Sequence, residues 1–322
     1  MWFEKLVGFR ETKENVYKNL KIENTKLISL VNKKEFEIGE LEIVSLKELK
    51  EKITQNLSKN KIEQIIADVK ELHKNPQNEN TLFQVASQFN LLEMVSPNIT
   101  PEMGVDRYEN DFTQGPTCAI ACGAGTIYRN YFVKLNNQIG QTENIQIDCS
   151  EEIGELLDNK NNNLWQVKNG YLLFENVEKL NQILQNFDKE EIKNSLKVGI
   201  MWGSEVTISE IKYKVSQIYC SALPISYNYY NKDELEKFAK IILEAAYEAT
   251  ICAGILNYLK TGNNRLYLTL LGGGAFGNRI EWIIEAIEKT LKKYSNSGLD
   301  IKVVSFRNRN YDIEEMIERL GK

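Results

Sequence analysis

The segment 266–291 changes its pattern twice, and it constrains the fold more than any other part of the sequence. An apolar run at 266–271 is typical of a buried strand; it ends in three glycines at 272–274, and a further glycine follows at Gly277. A helical pattern then runs over 282–291. Glycine reaches backbone conformations that other residues avoid, and a helix N-terminus favours anions. The segment therefore predicts a strand, a loop that fits a diphosphate, and a helix.

This glycine loop does not match the common nucleotide motifs. A Walker A loop needs a Lys-Ser/Thr pair after its last glycine, and the dinucleotide fingerprint needs another glycine spacing and an acidic residue about 20 residues further on. A phosphotransferase needs a cation inside the phosphate motif, whereas Arg279 stands only at its edge. From the loop alone, an ordinary glycine-rich turn between a strand and a helix stays an open alternative.

A second informative block covers residues 81–132. Its first part, 81–92, predicts a buried strand that ends in polar residues, and an acidic loop follows. Gly115 and Pro116 then mark a helix start, with Pro116 expected at the first helical position. Small residues dominate this helix, so it can lie close to the sheet. The positive end of its dipole, at the N-terminus, then points at whatever the acidic loop holds.

Taken together, these blocks resemble the divergent macrodomains of the MavL type, which stand nearer to poly(ADP-ribose) glycohydrolases than to compact macrodomains. The Asn-Ala-Ala-Asn strand end and the triple-glycine first loop of ordinary macrodomains are missing, so a reaction cannot be carried over from those families. The resemblance covers about half of the chain, namely the first ten residues or so and roughly 81–132, 215–258 and 266–280.

Strand and helix signals alternate along most of the chain, which predicts a mixed or parallel sheet covered on both faces. With the resemblance, this implies an α/β fold: a three-layer α/β/α macrodomain-like mixed sheet at 79–322, with an N-terminal α+β extension at 1–78 packed on it. Strand signals in the main part lie near 82–87, 144–149, 171–175, 196–201, 215–222, 266–271 and 299–305. In the extension we expect a strand pair at 27–31 and 36–44 and helices at 46–57 and 61–73.

The resemblance implies a hydrolase that removes ADP-ribose from a protein side chain, with arginine as the first candidate and ubiquitin as a candidate protein. Carboxylates suit this chemistry because they activate water and stabilise an oxocarbenium-like state. Our candidates for the catalytic groups are Asp106, Asp111 and Glu102, with Glu109 in reserve. An acidic loop that only complements the N-terminus of the helix starting at Gly115 and Pro116 is the structural alternative, and a reader that binds ADP-ribose without cleaving it is the functional one.

The remaining pocket residues are also expected from the resemblance. Gln88 or Asn90 would hold a ribose, and Glu93 would accept a hydrogen bond from the adenine amino group. Phe9 would stack on the adenine, although simple closure of the core is the favoured explanation of an apolar N-terminus. We expect Gly274 and Gly277 to need positive φ values. The full set of expected ADP-ribose-binding residues is Phe9, Gln88, Asn90, Glu93, Gln114, Gly115, Tyr227, Gly272, Gly273, Gly274, Ala275, Phe276, Gly277 and Asn278.

Composition excludes several other classes of function. The net charge is −5 and no Lys/Arg stripe is interleaved with aromatics, which argues against a nucleic-acid partner. The sequence has no run of 18 apolar residues, which a membrane-spanning helix would need. Five cysteines, an odd number without a Cys-x-x-Cys motif, suggest reduced thiols and a cytoplasmic location.

The single histidine, His73, follows a helical pattern in a polar stretch, so we expect it to cap a helix at the surface. With one histidine and scattered cysteines, no ordinary zinc site can be assembled, and we expect neither a metal nor a cofactor. The expected partner is ADP-ribose or a protein that carries it.

Overall fold

The computed structural model describes residues 1–53 and 57–321. Its α-helices are α1 (Trp2–Val7), α2 (Lys13–Asn19), α3 (Leu46–Glu51), α4 (Val69–Lys74), α5 (Gln114–Ala121), α6 (Gly123–Ile127), α7 (Glu151–Leu156), α8 (Val177–Ile183), α9 (Lys189–Asn194), α10 (Lys232–Thr261), α11 (Ile280–Lys293) and α12 (Tyr311–Gly321). Its strands are β1 (Leu20–Glu23), β2 (Lys26–Ser29), β3 (Glu35–Glu37), β4 (Glu40–Ser45), β5 (Lys61–Ile66), β6 (Leu82–Ala86), β7 (Lys134–Leu135), β8 (Gln138–Ile139), β9 (Trp165–Lys168), β10 (Tyr171–Phe174), β11 (Lys197–Glu205), β12 (Lys214–Cys220), β13 (Arg265–Leu268) and β14 (Asp300–Ser305).

Seven strands form the central sheet in the order β4-β11-β12-β6-β13-β14-β5. The five strands from β12 to β5 run parallel to one another, while β11 is antiparallel to both of its neighbours. Residues 82–85 of β6 are all buried, although successive side chains of a strand point to opposite faces. Both faces of the sheet are therefore covered, and the expected mixed α/β sheet is confirmed.

The helices fall into two groups around this sheet. The long helix α10 packs against α11, α3 and α9 and against strands β12 and β6. Helix α5 packs against β6 and α4, and α6 packs against β11. Although α10 has 30 residues, no helix in the described part of the chain is long and apolar enough to cross a membrane.

The N-terminal segment 1–78 contributes to the main sheet as well as forming structure of its own. Strands β1, β2 and β3 make a separate small sheet, in which β2 and β3 pair antiparallel. The expected partner strand at 36–44 is divided, because its second half forms β4 in the central sheet. Strands β4 and β5 instead form the two edges of the central sheet. The division into an extension at 1–78 and a macrodomain-like domain at 79–322 stays a prediction.

Three of the expected elements in this fold are wrong. Residues 61–66, expected in a helix, form β5, because the whole segment pairs in parallel with β14 and this pairing overrides a helical spacing of isoleucines. Residues 144–149 form no strand; their polar backbone groups bond to neighbouring loops instead, as in the 2.9 Å hydrogen bond from Cys149 N–H to the Phe89 carbonyl. Pro116 is the third residue of α5 rather than the first.

Two further expectations hold only in part. The helix expected at 46–57 ends at Glu51 as α3, and residues 54–56 of it lie outside the described residues. The strand expected at 171–175 forms as β10, but it pairs with β9 in a separate hairpin and not with the central sheet.

Candidate functional site

A cleft opens where three parallel strands end at their carboxyl termini. It has a volume of about 170 Å³, and its walls include Ala86 at the end of β6, Ala222 after β12 and Thr269 after β13. In open α/β sheets, ligands bind outside the carboxyl ends of the strands, where neighbouring connections leave in opposite directions. We call this cavity the inner cleft.

The glycine loop after β13 forms one wall of the inner cleft. Its turn is closed by hydrogen bonds from Gly277 N–H to the Gly274 carbonyl and from Asn278 N–H to the Gly272 carbonyl, each 3.0 Å long. Gly272 and Gly277 have φ values of 74° and 73°, so they need glycine. The same expectation for Gly274 is wrong, because its φ is not in the left-handed region and a Cβ there would meet open space.

The tip of this loop presents backbone donors without protein acceptors. Within the described residues, the N–H groups of Gly274, Ala275 and Phe276 donate to no protein atom, and all three residues line the inner cleft. Successive unpaired N–H groups in a turn make a concavity that binds anions. The loop can therefore hold a phosphate or diphosphate group without a lysine.

Three aromatic rings form a cluster beside this loop. The ring centroids of Tyr171 and Tyr227 lie 4.9 Å apart, and those of Tyr171 and Phe276 lie 5.4 Å apart. Hydrogen bonds from the tyrosine hydroxyls to the carbonyls of Met94 (2.5 Å) and Val95 (3.3 Å) fix the two tyrosines. The cluster offers the cleft a rigid apolar wall of the kind on which a base or a sugar packs.

The start of α5 closes the opposite side of the cleft. The Gln114 side chain accepts a hydrogen bond from Ala86 N–H (2.9 Å) and donates one to the Gln84 carbonyl (2.8 Å), so it continues the ladder of β6. A Cβ at Gly115 would lie 2.0 Å from the Ala86 carbonyl oxygen. Only glycine lets the helix start this close to the strand end, and this close approach places Gln114 and Gly115 in the cleft wall.

A buried carboxyl group, Glu93, also borders the cleft. Its side chain lies 3.3 Å from the guanidinium of Arg129, which is itself fully buried. Burial raises the pKa of Glu93 to about 7, and Arg129 opposes this rise. Arg129 also donates a 2.9 Å hydrogen bond to the Leu91 carbonyl and lies 3.7 Å from the ring centre of Tyr219. Sequence patterns gave no sign of this partner for Glu93.

Replacement of Arg129 by methionine should destabilise the protein by about 3–5 kcal/mol, because Glu93 loses its buried counter-ion and must take up a proton, and the Leu91 carbonyl loses its donor. Chemical denaturation of the parent and of Arg129→Met measures this loss. The double variant with Glu93→Leu is the control, and we expect it to recover a large part of the loss. A double variant no more stable than Arg129→Met would contradict this explanation.

The acidic loop is tied to the N-terminal segment rather than to the cleft. The Asp106 side chain accepts a hydrogen bond from Phe3 N–H (3.2 Å), and Glu109 accepts one from Trp2 N–H (2.9 Å). Both carboxylates therefore complement the start of α1, and not the start of α5, which the structural alternative concerned. Burial raises the pKa of Asp106, and its second carboxylate oxygen has no hydrogen-bond partner in the part of the chain that the structure describes.

The four candidate carboxylates thus occupy different surroundings. Glu102 accepts two hydrogen bonds from Glu143 N–H, at 3.0 and 3.1 Å, and lies outside the lining of the inner cleft, as do Asp106 and Glu109. Asp111 does line the cleft; one of its oxygens accepts a 2.9 Å hydrogen bond from Thr113 N–H. Their catalytic roles stay predictions.

The structure brings together most, but not all, of the expected ADP-ribose-binding residues. The inner cleft is lined by Gln88, Glu93, Gln114, Gly115, Tyr227, Gly272, Gly274, Ala275 and Phe276. Gly273, Gly277 and Asn278 belong to the glycine loop but lie outside this lining. Phe9 packs edge-on against Phe3, with centroids 5.6 Å apart, and buried Asn90 donates a 2.7 Å hydrogen bond to Gln146; neither lines the cleft.

Several lining residues had no motif that could reveal them. Tyr171 was visible only as part of a strand signal, and Thr269 as part of the apolar run before the glycines. Ser87, Met94 and Val95 line the cleft because the chain turns back after β6. This turn is held by a 2.7 Å hydrogen bond from Met94 N–H to the Gln88 side chain.

The surface position expected for His73 is wrong. The ring is fully buried and stacks on Phe83, with centroids 3.9 Å apart. Its Nδ1 lies 2.7 Å from the Val69 carbonyl oxygen and its Nε2 lies 3.0 Å from the Gln217 side-chain nitrogen. Burial lowers the pKa of His73 to about 4.

Within residues 1–53 and 57–321, no group of three or more His, Cys, Asp and Glu side chains could hold a metal ion.

Comparison with known proteins finds similarity at the level of three-dimensional structure. No family model matches the chain, and no curated protein sequence matches it. Poly(ADP-ribose) glycohydrolase from Thermomonospora curvata aligns with a TM-score of 0.47 and 9% sequence identity, over 95% of this chain and 95% of that chain. The same enzyme bound to the inhibitor ADP-HPD gives 0.46 and 9%, again over 95% of both chains. Poly(ADP-ribose) glycohydrolase from Deinococcus radiodurans in complex with ADP-ribose gives 0.45 and 8%, over 87% of this chain and 94% of that chain.

Proposed function

We propose that the inner cleft binds ADP-ribose and that the protein hydrolyses the bond between ADP-ribose and a protein side chain. The observation that carries this proposal is the run of unpaired N–H groups at Gly274, Ala275 and Phe276, which borders the same cavity as an aromatic cluster and a buried carboxyl group. ADP-ribose has a part that matches each of these features: a diphosphate for the N–H groups, a flat base for the aromatic cluster, and an amino group for the carboxyl group. The sequence resemblance supports the same ligand.

Each part of the ligand has a candidate partner in the cleft. The diphosphate would accept hydrogen bonds from the loop N–H groups, which need no rearrangement to receive it. The Tyr227 and Phe276 rings provide flat surfaces for packing. Glu93 is a hydrogen-bond acceptor at the cleft wall, and it would take the adenine amino group as expected from the sequence.

In the reaction, water would attack the anomeric carbon of the ribose that carries the side chain. The bond from that carbon to the side-chain nitrogen breaks, and the leaving nitrogen takes up a proton. Asp111 is the carboxylate that we assign to this step, because it is the one loop candidate that lines the inner cleft. It would orient the water, accept its proton and stabilise the positive charge on the sugar. We keep arginine as the first candidate for the side chain and ubiquitin as a candidate protein.

A reader of ADP-ribose is the second candidate function. It is favoured by the positions of Asp106, Glu109 and Glu102, which bond to backbone N–H groups outside the inner cleft. In that case the cleft would bind the ligand, and Asp111 would serve only to hold the loop through Thr113.

One experiment separates these candidates. The protein is titrated with ADP-ribose in a calorimeter and is then incubated with arginine-, serine- and glutamate-linked ADP-ribosyl proteins while free ADP-ribose is measured. Binding with release from the arginine-linked protein supports the full proposal. Binding without release from any of the three indicates a reader, and the absence of binding contradicts both functions.

The affinity for ADP-ribose should rise with pH across roughly pH 5.5–8.5, because the pKa of Glu93 is raised to about 7 and the ionised carboxylate is the better acceptor. We expect a change of about fivefold, the difference between a charged and a neutral hydrogen bond. Calorimetry at intervals across this range gives the profile.

Two variants test the assignment of this pH profile. Glu93→Gln should flatten it in a protein whose thermal melt shows that it is folded. His73→Gln should keep the slope, because the pKa of His73, lowered to about 4, lies below the range. A profile that vanishes in His73→Gln and persists in Glu93→Gln would contradict the role of Glu93.

A further inference from the structure

A second, larger cavity adjoins the inner cleft, and we call it the outer groove. It has a volume of about 850 Å³ and lies between α1, the start of α4, the loop before α5 and the end of β14. The two cavities share four lining residues: Asp111, Thr113, Gln114 and Thr269. The segment 111–114 is thus a ridge with the inner cleft on one side and the outer groove on the other.

Two phenylalanines of the outer groove are exposed to solvent. Phe112, on the ridge itself, is 90% exposed, and Phe306, just after β14, is 60% exposed. Exposed aromatic side chains that flank a concave surface are typical anchors for a protein partner. The charged side chains of the groove balance in sign: Lys5, Lys70 and Arg307 oppose Asp68, Glu109 and Asp111.

The position of the groove agrees with the geometry of a substrate that is attached to a polypeptide. An ADP-ribosyl group inside the inner cleft is bonded to a side chain whose backbone must lie outside it. The ridge is where the inner cleft continues into another concave surface, and Asp111, the residue assigned to the reaction, lies on that ridge. The balanced charges argue against a polyanion as the occupant and favour a polypeptide held by apolar contacts.

We propose that the outer groove binds the polypeptide that carries the ADP-ribosyl group, with Phe112 and Phe306 as its anchors. This rests on the proposed function of the inner cleft and adds to it a surface that selects the protein part of the substrate. Helix α1 supplies one wall of the groove through Trp2 and Lys5, so the N-terminal segment takes part in substrate selection.

The test uses the double variant Phe112→Ala/Phe306→Ala, in which neither residue lines the inner cleft. The two probes are free ADP-ribose and ubiquitin that carries one ADP-ribosylated arginine. We measure Kd for free ADP-ribose, and KM for the modified ubiquitin, or its Kd if no turnover occurs. We expect the double variant to weaken the interaction with the modified protein about tenfold or more, and to change the Kd for ADP-ribose by less than about twofold. Tyr229→Ala, an exposed aromatic residue outside both cavities, should behave as the parent.

The outcomes separate this proposal from the function on which it rests. The docking role would be overturned if the double variant had the KM or Kd of the parent for the modified protein. It would also be overturned if the affinity for the modified protein and the affinity for free ADP-ribose fell equally. A weaker affinity for an ADP-ribose oligomer with an unchanged affinity for the modified protein would also overturn the docking role. It would assign the groove to a second nucleotide unit. Failure of the parent to bind free ADP-ribose would instead refute the function of the inner cleft.

Discussion

Gly277→Ala should weaken ADP-ribose binding by about 100-fold or more. Gly277 has a φ of 73°, which strains an alanine, and a Cβ there would lie 2.1 Å from the Ser226 hydroxyl oxygen, so either Ser226 must turn away or the loop must move. The backbone strain at this φ favours movement of the loop, which misplaces the N–H groups of residues 274–276, and each hydrogen bond to a charged group contributes about 1.5–3 kcal/mol. Calorimetric titration of the parent and the variant with ADP-ribose measures the loss.

The matched control is Gly262→Ala. Gly262 has a similar φ of 78° at the end of α10, but a Cβ there meets nothing within 4 Å and the residue lies outside the cleft. It should show the strain of a left-handed alanine, about 1–2 kcal/mol of stability, with unchanged affinity. Equal affinities in Gly277→Ala and the parent would contradict the assignment of the glycine loop to the diphosphate.

Asp111→Asn should lower the rate of ADP-ribose release by about 100-fold or more, because an amide cannot take a proton from water and carries no charge to stabilise the sugar cation. The variant keeps an oxygen that can accept the hydrogen bond from Thr113 N–H, so the loop and the thermal midpoint should change little. Single-turnover measurements with an arginine-linked substrate separate this loss from any change in binding.

Two further variants decide how this result is interpreted. Asp158→Asn, at an exposed position away from both cavities, controls for a general effect of removing one negative charge. Asp106→Asn tests the buried carboxylate that caps α1. If Asp111→Asn released ADP-ribose at the normal rate and Asp106→Asn released it much more slowly, the catalytic role would belong to Asp106. The acidic loop would then have to rearrange when substrate binds.

The parts of the site that sequence analysis could predict are those with local causes. Glycines between a strand and a helix have few structural explanations, so the loop at 272–277 and its place at a strand end followed from neighbouring residues. Gln114 and Gly115 followed likewise from a recognisable helix start. The central strands β6, β12, β13 and β14 were predicted because each is an apolar run bounded by turn residues.

The parts that could not be predicted depend on contacts between distant segments. Strand β5 has a helix-like spacing of isoleucines and becomes a strand only because β14, more than 200 residues later, lies beside it. Asp106 and Glu109 turn away from the cleft because the first residues of the chain offer them free N–H groups. Tyr171 meets the cleft, and Arg129 meets Glu93, through tertiary folding alone, and no spacing in the sequence relates them to Glu93 or to the glycine loop.

The origin of both sheet edges in the first 66 residues has a consequence for how the chain is made. Strand β5 pairs with β14, whose residues 300–305 are synthesised more than 200 residues after those of β5, so this edge cannot close while the intervening chain is being made. Until then β5 is an unpaired, isoleucine-rich strand that a second nascent chain could capture. Deletion of residues 1–78 would expose β11 and β14 as new edges in the same way. We expect truncated forms to be recovered mainly as aggregates, and folding yield of the full chain to fall as its concentration during refolding rises.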